Sequence, residues 1–328
     1  MGNNKRLIYI DYLKVIGLFL VILAHVDCPK FLMQIRSFDV PLLVFISGYL
    51  AAKSYKQGNS YQYYLKRIKR LAVPAWLFLI VFFVIQTIVY SRPGLVDIVK
   101  GFLFQKDANM VGMLWVIWVY LVCAFLIPMI SRFKYTKKSV FLAGIVFLIY
   151  EIVCIFTNLA NYRILYVTVF TVVPWGVLTF WSFYYDCIPA KRKYLFAILF
   201  ACIFLGIASM LRVKTGSFVM TNDYKYPARL YYLSFAMPII IIIYEFLKRI
   251  NLPKSKIISF ISKSSLWIYL WHILVLYVVK SIITNDALWA LQYVCIICIS
   301  LAITWIQNII VTLLIDKYRL NFMKVFLG

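Results

Sequence analysis

Long apolar runs alternate with short clusters of charged residues along the whole chain. A run of about 20 apolar residues is the length that an α-helix needs to cross the hydrocarbon core of a bilayer, and a helix satisfies its own backbone hydrogen bonds there. Windows of this length predict ten membrane-spanning helices. They lie near residues 7–27, 39–55, 71–91, 112–130, 139–157, 164–184, 193–211, 229–247, 265–284 and 288–314.

The composition agrees with this interpretation of the apolar runs. Hydrophobic residues make up 64% of the 328 residues and charged residues only 14%, whereas a soluble domain of this length needs more polar surface. A membrane β-barrel would show shorter, alternating segments. We therefore predict an all-α polytopic integral membrane protein, built as a bundle of about ten transmembrane helices. It forms a single membrane domain over residues 1–328, without a separate soluble domain or a cleavable signal peptide.

Basic residues are distributed unevenly between alternate loops. Roughly two thirds of the 35 Lys and Arg residues fall in the two terminal segments and in every second loop, and such segments are retained on the cytoplasmic side. This predicts cytoplasmic N- and C-termini. Topology and attraction to anionic lipid headgroups explain most of the net charge of +24. We therefore expect membrane lipids as partners and no nucleic acid.

The seven cysteines are scattered, and most lie in apolar runs, where cysteine behaves as a small hydrophobic residue. Cys295 and Cys298 form a CxxC, but a second pair and a nearby histidine are missing from the sequence around them. No disulfide framework, metal site or bound cofactor is predicted.

Ionisable residues inside a span are costly and usually face a cavity or a partner. The first span holds Asp11, Lys14 and His25. At about 100° per residue, all three point to one side of a helix, with His25 about 16 Å beyond Lys14. Asp11 and Lys14 can pair, and a neutral imidazole can act as a general base near pH 7. Alternatively, Lys14 reaches the membrane interface and His25 bonds to an outer loop.

Four further polar residues lie inside predicted spans or at their ends. His272 is in the ninth span, where an interhelical hydrogen bond is the simpler interpretation and a catalytic role the alternative. Glu151 and Asn158 are seven residues apart in the fifth span, and hence on one face, so they are candidates for lining a cavity. Glu245 is close to the basic end of its own helix, which favours an interfacial ion pair.

A basic patch precedes the third span. Arg67 and Arg70 are three residues apart on one predicted helical face, and Lys66 and Lys69 flank them. Such a patch suits the phosphates of a nucleotide-like donor. Clusters that only fix the membrane orientation look the same, so this alternative stays open.

Several segments together resemble acyltransferase family 3, a family of membrane O-acyltransferases. The first is the Asp11, Lys14 and His25 pattern of span one, and the RxxR of Arg67 and Arg70 followed by Pro74 is another. The remaining segments are VPLLVFISGYLAAKS (40–54), MLWVIWVYLVCAFLIP (113–128), YPARLYYLSF (226–235) and SSLWIYLWHILV (264–275). They occur in the order found in the family, with its ten-helix layout.

The resemblance implies transfer of an acyl group, most often acetyl, from acetyl-CoA or another cytoplasmic acyl-CoA to a carbohydrate acceptor at the outer face of a bacterial plasma membrane. It implies that His25 is the catalytic histidine, that Lys14 is its basic partner and that Arg67 and Arg70 bind the donor. The family usually has arginine where this chain has Lys14, which offers a point charge instead of a planar fork. The cavity candidates are Ser47, Tyr49, Trp115, Glu151, Asn158, Tyr269 and His272.

A transporter or flippase of a glycan or lipid-linked precursor is the alternative function. Intramembrane charges would then line a translocation path without covalent chemistry. The loop from residue 211 to 229, with four basic residues, is the expected contact for an acceptor glycan, especially an anionic one.

Overall fold

The computed structural model describes residues 7–89, 91–157 and 169–327, and within these ranges the regular structure is helical, without a β-strand. The α-helices, joined by loops and short 3-10 turns, are α1 (Ile8–Leu23), α2 (Lys30–Ile35), α3 (Asp39–Ser54), α4 (Ser60–Val89), α5 (Leu95–Phe102), α6 (Trp115–Ile130), α7 (Lys137–Phe156), α8 (Val169–Phe183), α9 (Ala190–Thr215), α10 (Leu230–Arg249), α11 (Lys256–Lys263), α12 (Ser265–Ile282) and α13 (Trp289–Tyr318).

Among the described residues, eight helical segments are long and apolar enough to cross a membrane. They are Lys30–Ser54, Ser60–Val89, Asn109–Ile130, Lys137–Phe156, Ala190–Thr215, Leu230–Arg249, Ser265–Ile282 and Asp286–Tyr318. The first and sixth predicted windows also contain helices, α1 with 16 residues and α8 with 15. Both are shorter than every one of the eight segments. The chain is thus an all-helical protein of the multi-pass membrane class.

The chain divides into two compact units. Unit one consists of Met1–Pro29, Tyr61–Leu121 and Pro253–Gly328, and unit two of Lys30–Ser60 and Val122–Leu252. Helix α6 begins in unit one and ends in unit two. Each unit has its own helix packing.

In unit one, α1 packs against α11, α12 and α13, and α12 packs against α13. Side chains on α13 provide polar contacts between these helices. The Trp271 indole donates to Gln307 Oε1 (2.6 Å), and the Asn308 amide donates to Ser264 Oγ (2.9 Å). Because an unpaired polar group is costly in an apolar interior, these bonds fix the register of α13 on α12.

In unit two, burial distinguishes inner from peripheral helices. The apolar stretch of Lys30–Ser54 is 72% buried, whereas those of α7 and α9 are only 11% and 6% buried. Their exposed side chains are aliphatic and aromatic, as expected for helices that face lipid. The inner helix α3 packs on α8, and the α-carbon of Gly48 allows their close approach. A Cβ at this position would lie 1.9 Å from Ser182 Oγ.

Candidate active site

Helix α1 carries the first group of predicted site residues. Asp11 lies in its first turn, where the partial positive charge of the helix N-terminus favours a carboxylate. The carboxylate is buried and accepts a hydrogen bond from Ser262 Oγ at 2.6 Å. Lys14 is half-buried one turn further along α1. Direct pairing of Asp11 with Lys14 stays a prediction.

His25 follows α1 in a turn and is not inside the helix. The predicted span reached residue 27, but α1 ends at Leu23. Ala24 keeps a helical backbone, and the N–H of His25 still donates to the Ile22 carbonyl at 3.0 Å. Pro29 disfavours a helical conformation at Cys28, so the chain does not return to a helix before Lys30, where α2 begins. The imidazole is therefore presented by a turn and is half-buried.

The second histidine, His272, is fully buried in the middle of α12. Its Nδ1 is hydrogen bonded to the carbonyl oxygen of Tyr269, one turn earlier. Because a carbonyl can only accept, Nδ1 carries the proton and Nε2 presents a lone pair. Within the described part of the chain, this buried Nε2 has no hydrogen-bond partner.

The structure brings His25 and His272 together. These are the two histidines of the whole sequence, and their ring centroids are 5.5 Å apart with the ring planes inclined by 35°. Asp11 contacts Ser262 near one end of α1, and Asp27 pairs with Lys280 (2.7 Å) near the other end. Helix α1 therefore runs alongside α12 in the same direction, with the histidine pair between these two contacts.

Two predicted cavity residues, Tyr269 and Trp115, belong to the same region of unit one. The Tyr269 ring lies 5.0 Å from that of His272, and its hydroxyl donates to the Met113 carbonyl. Met113 lies in the 3-10 turn Asn109–Leu114, two residues before Trp115, the first residue of α6. The tyrosine thus connects the segment leading into Trp115 to the helix that carries His272.

The predicted donor patch lies inside α4, since this helix begins at Ser60, well before the apolar window. Arg67 is half-buried and its guanidinium lies 5.0 Å from the centre of the Tyr63 ring, a cation–π contact one turn apart. Arg70, Lys66 and Lys69 are exposed. Four cationic side chains therefore project from two successive turns of one helix, and three of them are open to solvent.

Helix α4 also connects this patch to the level of the histidines. The Phe78 ring packs edge-on against Trp271, the neighbour of His272, with centroids 5.8 Å apart. Further along, Phe82 approaches Tyr277 (6.2 Å), so α4 and α12 run in the same direction. Arg70 precedes Phe78 by eight residues, which is about 12 Å along a helix axis. The patch and the histidine pair thus lie at two levels of one unit.

Three other predicted cavity residues belong to unit two and interact there. Ser47 is half-buried beside the close contact of Gly48. The Tyr49 hydroxyl donates to Asp186 (3.1 Å). Glu151 accepts from Arg229 (2.8 Å) and from the backbone N–H of Leu230 (3.1 Å). Asn158 lies outside the described residues.

Glu245 is in an ion pair, but not with the basic end of its own helix. Its carboxylate is buried in unit two and binds Lys193 Nζ (2.9 Å) and the Tyr185 hydroxyl (3.0 Å). The predicted partners were Lys248 and Arg249 on the same helix. The packing of α9 on α10 brings Lys193 to the buried face instead.

Sequence reasoning missed Asp186, which follows α8. Burial by itself raises the pKa of this carboxyl, but its hydrogen bond to Lys53 and the charges of Lys53 and Lys248 outweigh burial, so its pKa is lowered. Tyr49 also donates to it. The three partners come from two distant parts of the sequence, and a single aspartate in a loop gave no signal of them.

A second missed cluster is centred on Asp39 at the start of α3. Asp39 is fully buried and pairs with Arg36, and Lys225 Nζ lies 3.6 Å away. Lys225 and Arg229 are two of the four basic residues expected to meet an acceptor glycan. Lys225 is instead buried beside Asp39, and Arg229 binds Glu151.

Among residues 7–89, 91–157 and 169–327, no three His, Cys, Asp or Glu side chains are grouped as metal ligands. The cysteines of the CxxC are free thiols, Cys295 half-buried and Cys298 exposed.

Comparison with known proteins identifies one family. The model of acyltransferase family 3, described as an acyltransferase domain, matches residues 7–308, which is nearly the whole chain. The match includes both histidines and the basic patch of α4. No curated protein and no solved structure gives a significant match.

Proposed function

The chain belongs to acyltransferase family 3, and from this premise we propose that it moves an acetyl group from cytoplasmic acetyl-CoA to a hydroxyl of a cell-surface or lipid-linked carbohydrate. The protein would lie in a bacterial plasma membrane with ten spans and both termini in the cytoplasm. The eight long helices, together with α1 and α8, are consistent with this number. The excess of basic residues in alternate loops supports this orientation.

In the proposed reaction His25 is the general base. It takes the proton of the acceptor hydroxyl while the oxygen attacks the thioester carbonyl, so a carbon–oxygen bond forms. The carbon–sulfur bond then breaks, and the proton passes from His25 to the leaving thiolate of coenzyme A. Lys14 and Asp11 would occupy the approach to His25 along α1. General base catalysis of this kind contributes about 10²- to 10⁴-fold to a rate.

The single observation that carries the proposal is the pairing of the two histidines within a family match that spans almost the whole chain. His25 is half-buried, so a substrate hydroxyl can reach it. An alternative role in transport gives no reason for two imidazoles to meet in this way.

The donor would bind to the basic patch of α4. Arginine forks and lysine ammonium groups both suit phosphate oxygens, and the exposed Arg70, Lys66 and Lys69 are open to the solvent side. The flexible arm of coenzyme A would then extend along α4 and α12 toward the level of Phe78 and Trp271, next to His272. This direction agrees with the parallel course of the two helices.

The catalytic test compares cells carrying the wild-type protein, His25→Ala and Thr312→Val. Thr312 is an exposed residue of α13 whose hydroxyl donates to the carbonyl of Asn308 in the same helix. Thr312→Val is therefore a control for a substitution outside the site. We expect mass spectrometry of surface polysaccharides to show acetyl groups with wild type and Thr312→Val and none with His25→Ala, at equal protein levels. Undiminished acetylation with His25→Ala would overturn the mechanism.

The donor test measures thermal stabilisation of the purified protein by acetyl-CoA in detergent. A ligand that binds the folded state raises the unfolding temperature. We expect the stabilisation to weaken in Arg67→Ala and Arg70→Ala and to persist in Lys56→Ala, which removes one exposed positive charge just before α4. Equal stabilisation of all four proteins would place the donor elsewhere.

A further inference from the structure

The unpartnered nitrogen of His272 has no role in the function proposed so far. His272 is fully buried, Nδ1 is bonded to the Tyr269 carbonyl, and Nε2 is left with a free lone pair in the described structure. A buried acceptor without a donor costs about 1–3 kcal/mol. A buried polar group of this kind calls for a specific explanation, and a catalytic role is one.

His25 supplies the donor that this lone pair lacks. The ring neighbours of His272 in the described structure are Tyr269 and His25, and of these His25 has ring nitrogens. At a centroid separation of 5.5 Å, the two rings are close enough for nitrogens that face each other to approach hydrogen-bond distance.

We propose that His272 is a positioning residue for His25, and that its Nε2 accepts a hydrogen bond from the His25 imidazolium formed during acyl transfer. This inference rests on the proposed function, in which His25 receives the proton of the acceptor hydroxyl. In neutral His25 one nitrogen accepts that proton and the other already carries one. The second N–H then points at Nε2 of His272, which stabilises the positive charge and fixes the ring for the proton's return to the thiolate.

The surrounding contacts hold His272 in the tautomer that this role requires. Because the Tyr269 carbonyl cannot donate, it keeps the proton on Nδ1 and leaves Nε2 as the acceptor. Tyr269 is itself anchored through its hydroxyl to the Met113 carbonyl. On the other side, Asp11 to Ser262 and Asp27 to Lys280 hold α1 against α11 and α12. A carboxylate usually orients a catalytic histidine in this way, and here a neutral imidazole would do so.

Two conservative variants distinguish this role from a purely structural one. In His272→Gln the amide lies where Nε2 was, so an acceptor for His25 remains while the bond to the Tyr269 carbonyl is lost. In His272→Asn the amide lies where Nδ1 was, so the bond to Tyr269 remains and the acceptor is lost. The proposal predicts higher activity for glutamine, and a structural role predicts higher activity for asparagine.

The experiment uses membrane vesicles of the source cells, whose own glycans serve as the acceptor, and radiolabelled acetyl-CoA as the donor. Rates of label incorporation are normalised to the amount of folded enzyme. We expect His272→Asn to lower kcat about 10- to 100-fold, less than the loss of the base itself, with an unchanged KM for acetyl-CoA. We expect His272→Gln to retain most of kcat, as does Ser281→Ala, a control at an exposed serine of the same helix.

The outcomes separate this inference from the proposed function. Transfer that persists in His25→Ala would remove the base, and the proposed function would fail. If transfer is lost in His25→Ala, the base is retained in the mechanism. Equal rates in His272→Asn and His272→Gln would then overturn only the role of His272. If the asparagine variant fails to fold, the glutamine variant decides alone, since a folded His272→Gln with a hundredfold lower kcat contradicts the proposal.

Discussion

Ser262 donates a hydrogen bond to the buried carboxylate of Asp11 at 2.6 Å, across 251 residues of sequence. The bond joins the first turn of α1 to α11, just before the helix that carries His272. It therefore gives Asp11 a structural role as well as its place in the motif of span one. Removing the Ser262 hydroxyl removes the structural contact and leaves the Asp11 carboxylate in the motif.

We expect Ser262→Ala to destabilise the protein by about 1–3 kcal/mol, since a buried carboxylate loses a donor that water cannot replace. Because the bond holds α1 beside α11 and α12, the rate of acyl transfer should fall together with stability. Thermal unfolding in detergent and the vesicle assay measure the two quantities. Ser281→Ala, on an exposed serine of α12 that bonds only to its own helix, should change neither. Full stability in Ser262→Ala would contradict the assignment.

Asp39 is the carboxylate that balances two buried cations in unit two, Arg36 and Lys225. In Asp39→Asn both cations stay buried without their negative partner. Breaking a buried ion pair from one side typically costs about 3–5 kcal/mol, so we expect a lower unfolding temperature and less protein in the membrane. Asp223→Asn, an exposed position in the neighbouring loop, is the control. An equal effect of the two substitutions would show that Asp39 does not stabilise this cluster.

The helices could be predicted from the sequence because hydropathy and helical periodicity are local properties. All ten predicted windows overlap a helix in the described residues, and α4 extends beyond its window because a helix continues past the apolar stretch. The contact of His25 with His272 could not be predicted, since it depends on how helices from the two ends of the chain pack. Glu245 illustrates the same limit. Its partner lies on another helix, and only packing decides which face of α9 meets α10.

The lowered pKa of Asp186 predicts an acid-sensitive contribution to stability. A group whose pKa is lower in the folded state stabilises the protein above its unfolded pKa, near 4 for aspartate, and this contribution is lost as the pH falls through the folded pKa. We expect wild type to unfold at a higher temperature than Asp186→Asn at pH 7, and the difference to shrink below about pH 4.

Unfolding temperatures of both proteins across this pH range provide the measurement. Asp316→Asn, at an exposed carboxylate of α13, should match wild type at pH 7. A difference between wild type and Asp186→Asn that stays constant down to pH 3 would show that the interactions with Lys53 and Lys248 do not depend on the charge of this residue.

Gly48 belongs to the segment of residues 40–54 that resembles the family motif, and the structure gives it a packing role. A Cβ on Gly48 would lie 1.9 Å from Ser182 Oγ and 3.1 Å from the Thr179 carbonyl oxygen. For an added methyl group to fit, the Ser182 hydroxyl, which donates to the Thr179 carbonyl, must rotate away or α8 must move away from α3. Overpacking of this kind typically costs about 1–3 kcal/mol. We expect Gly48→Ala to lower the unfolding temperature and the amount of protein in the membrane.

A matched control and a rescue make this prediction specific. Gly144 is exposed on α7, and a Cβ there meets nothing within 4 Å, so Gly144→Ala should be neutral or slightly stabilising because alanine favours helix more than glycine. Ser182→Gly removes the hydroxymethyl group that the new methyl would meet. The double variant Gly48→Ala/Ser182→Gly should then be more stable than the two separate effects predict, which a double-mutant cycle measures. If the two changes in the free energy of unfolding are strictly additive, Gly48 is required for something other than its contact with Ser182.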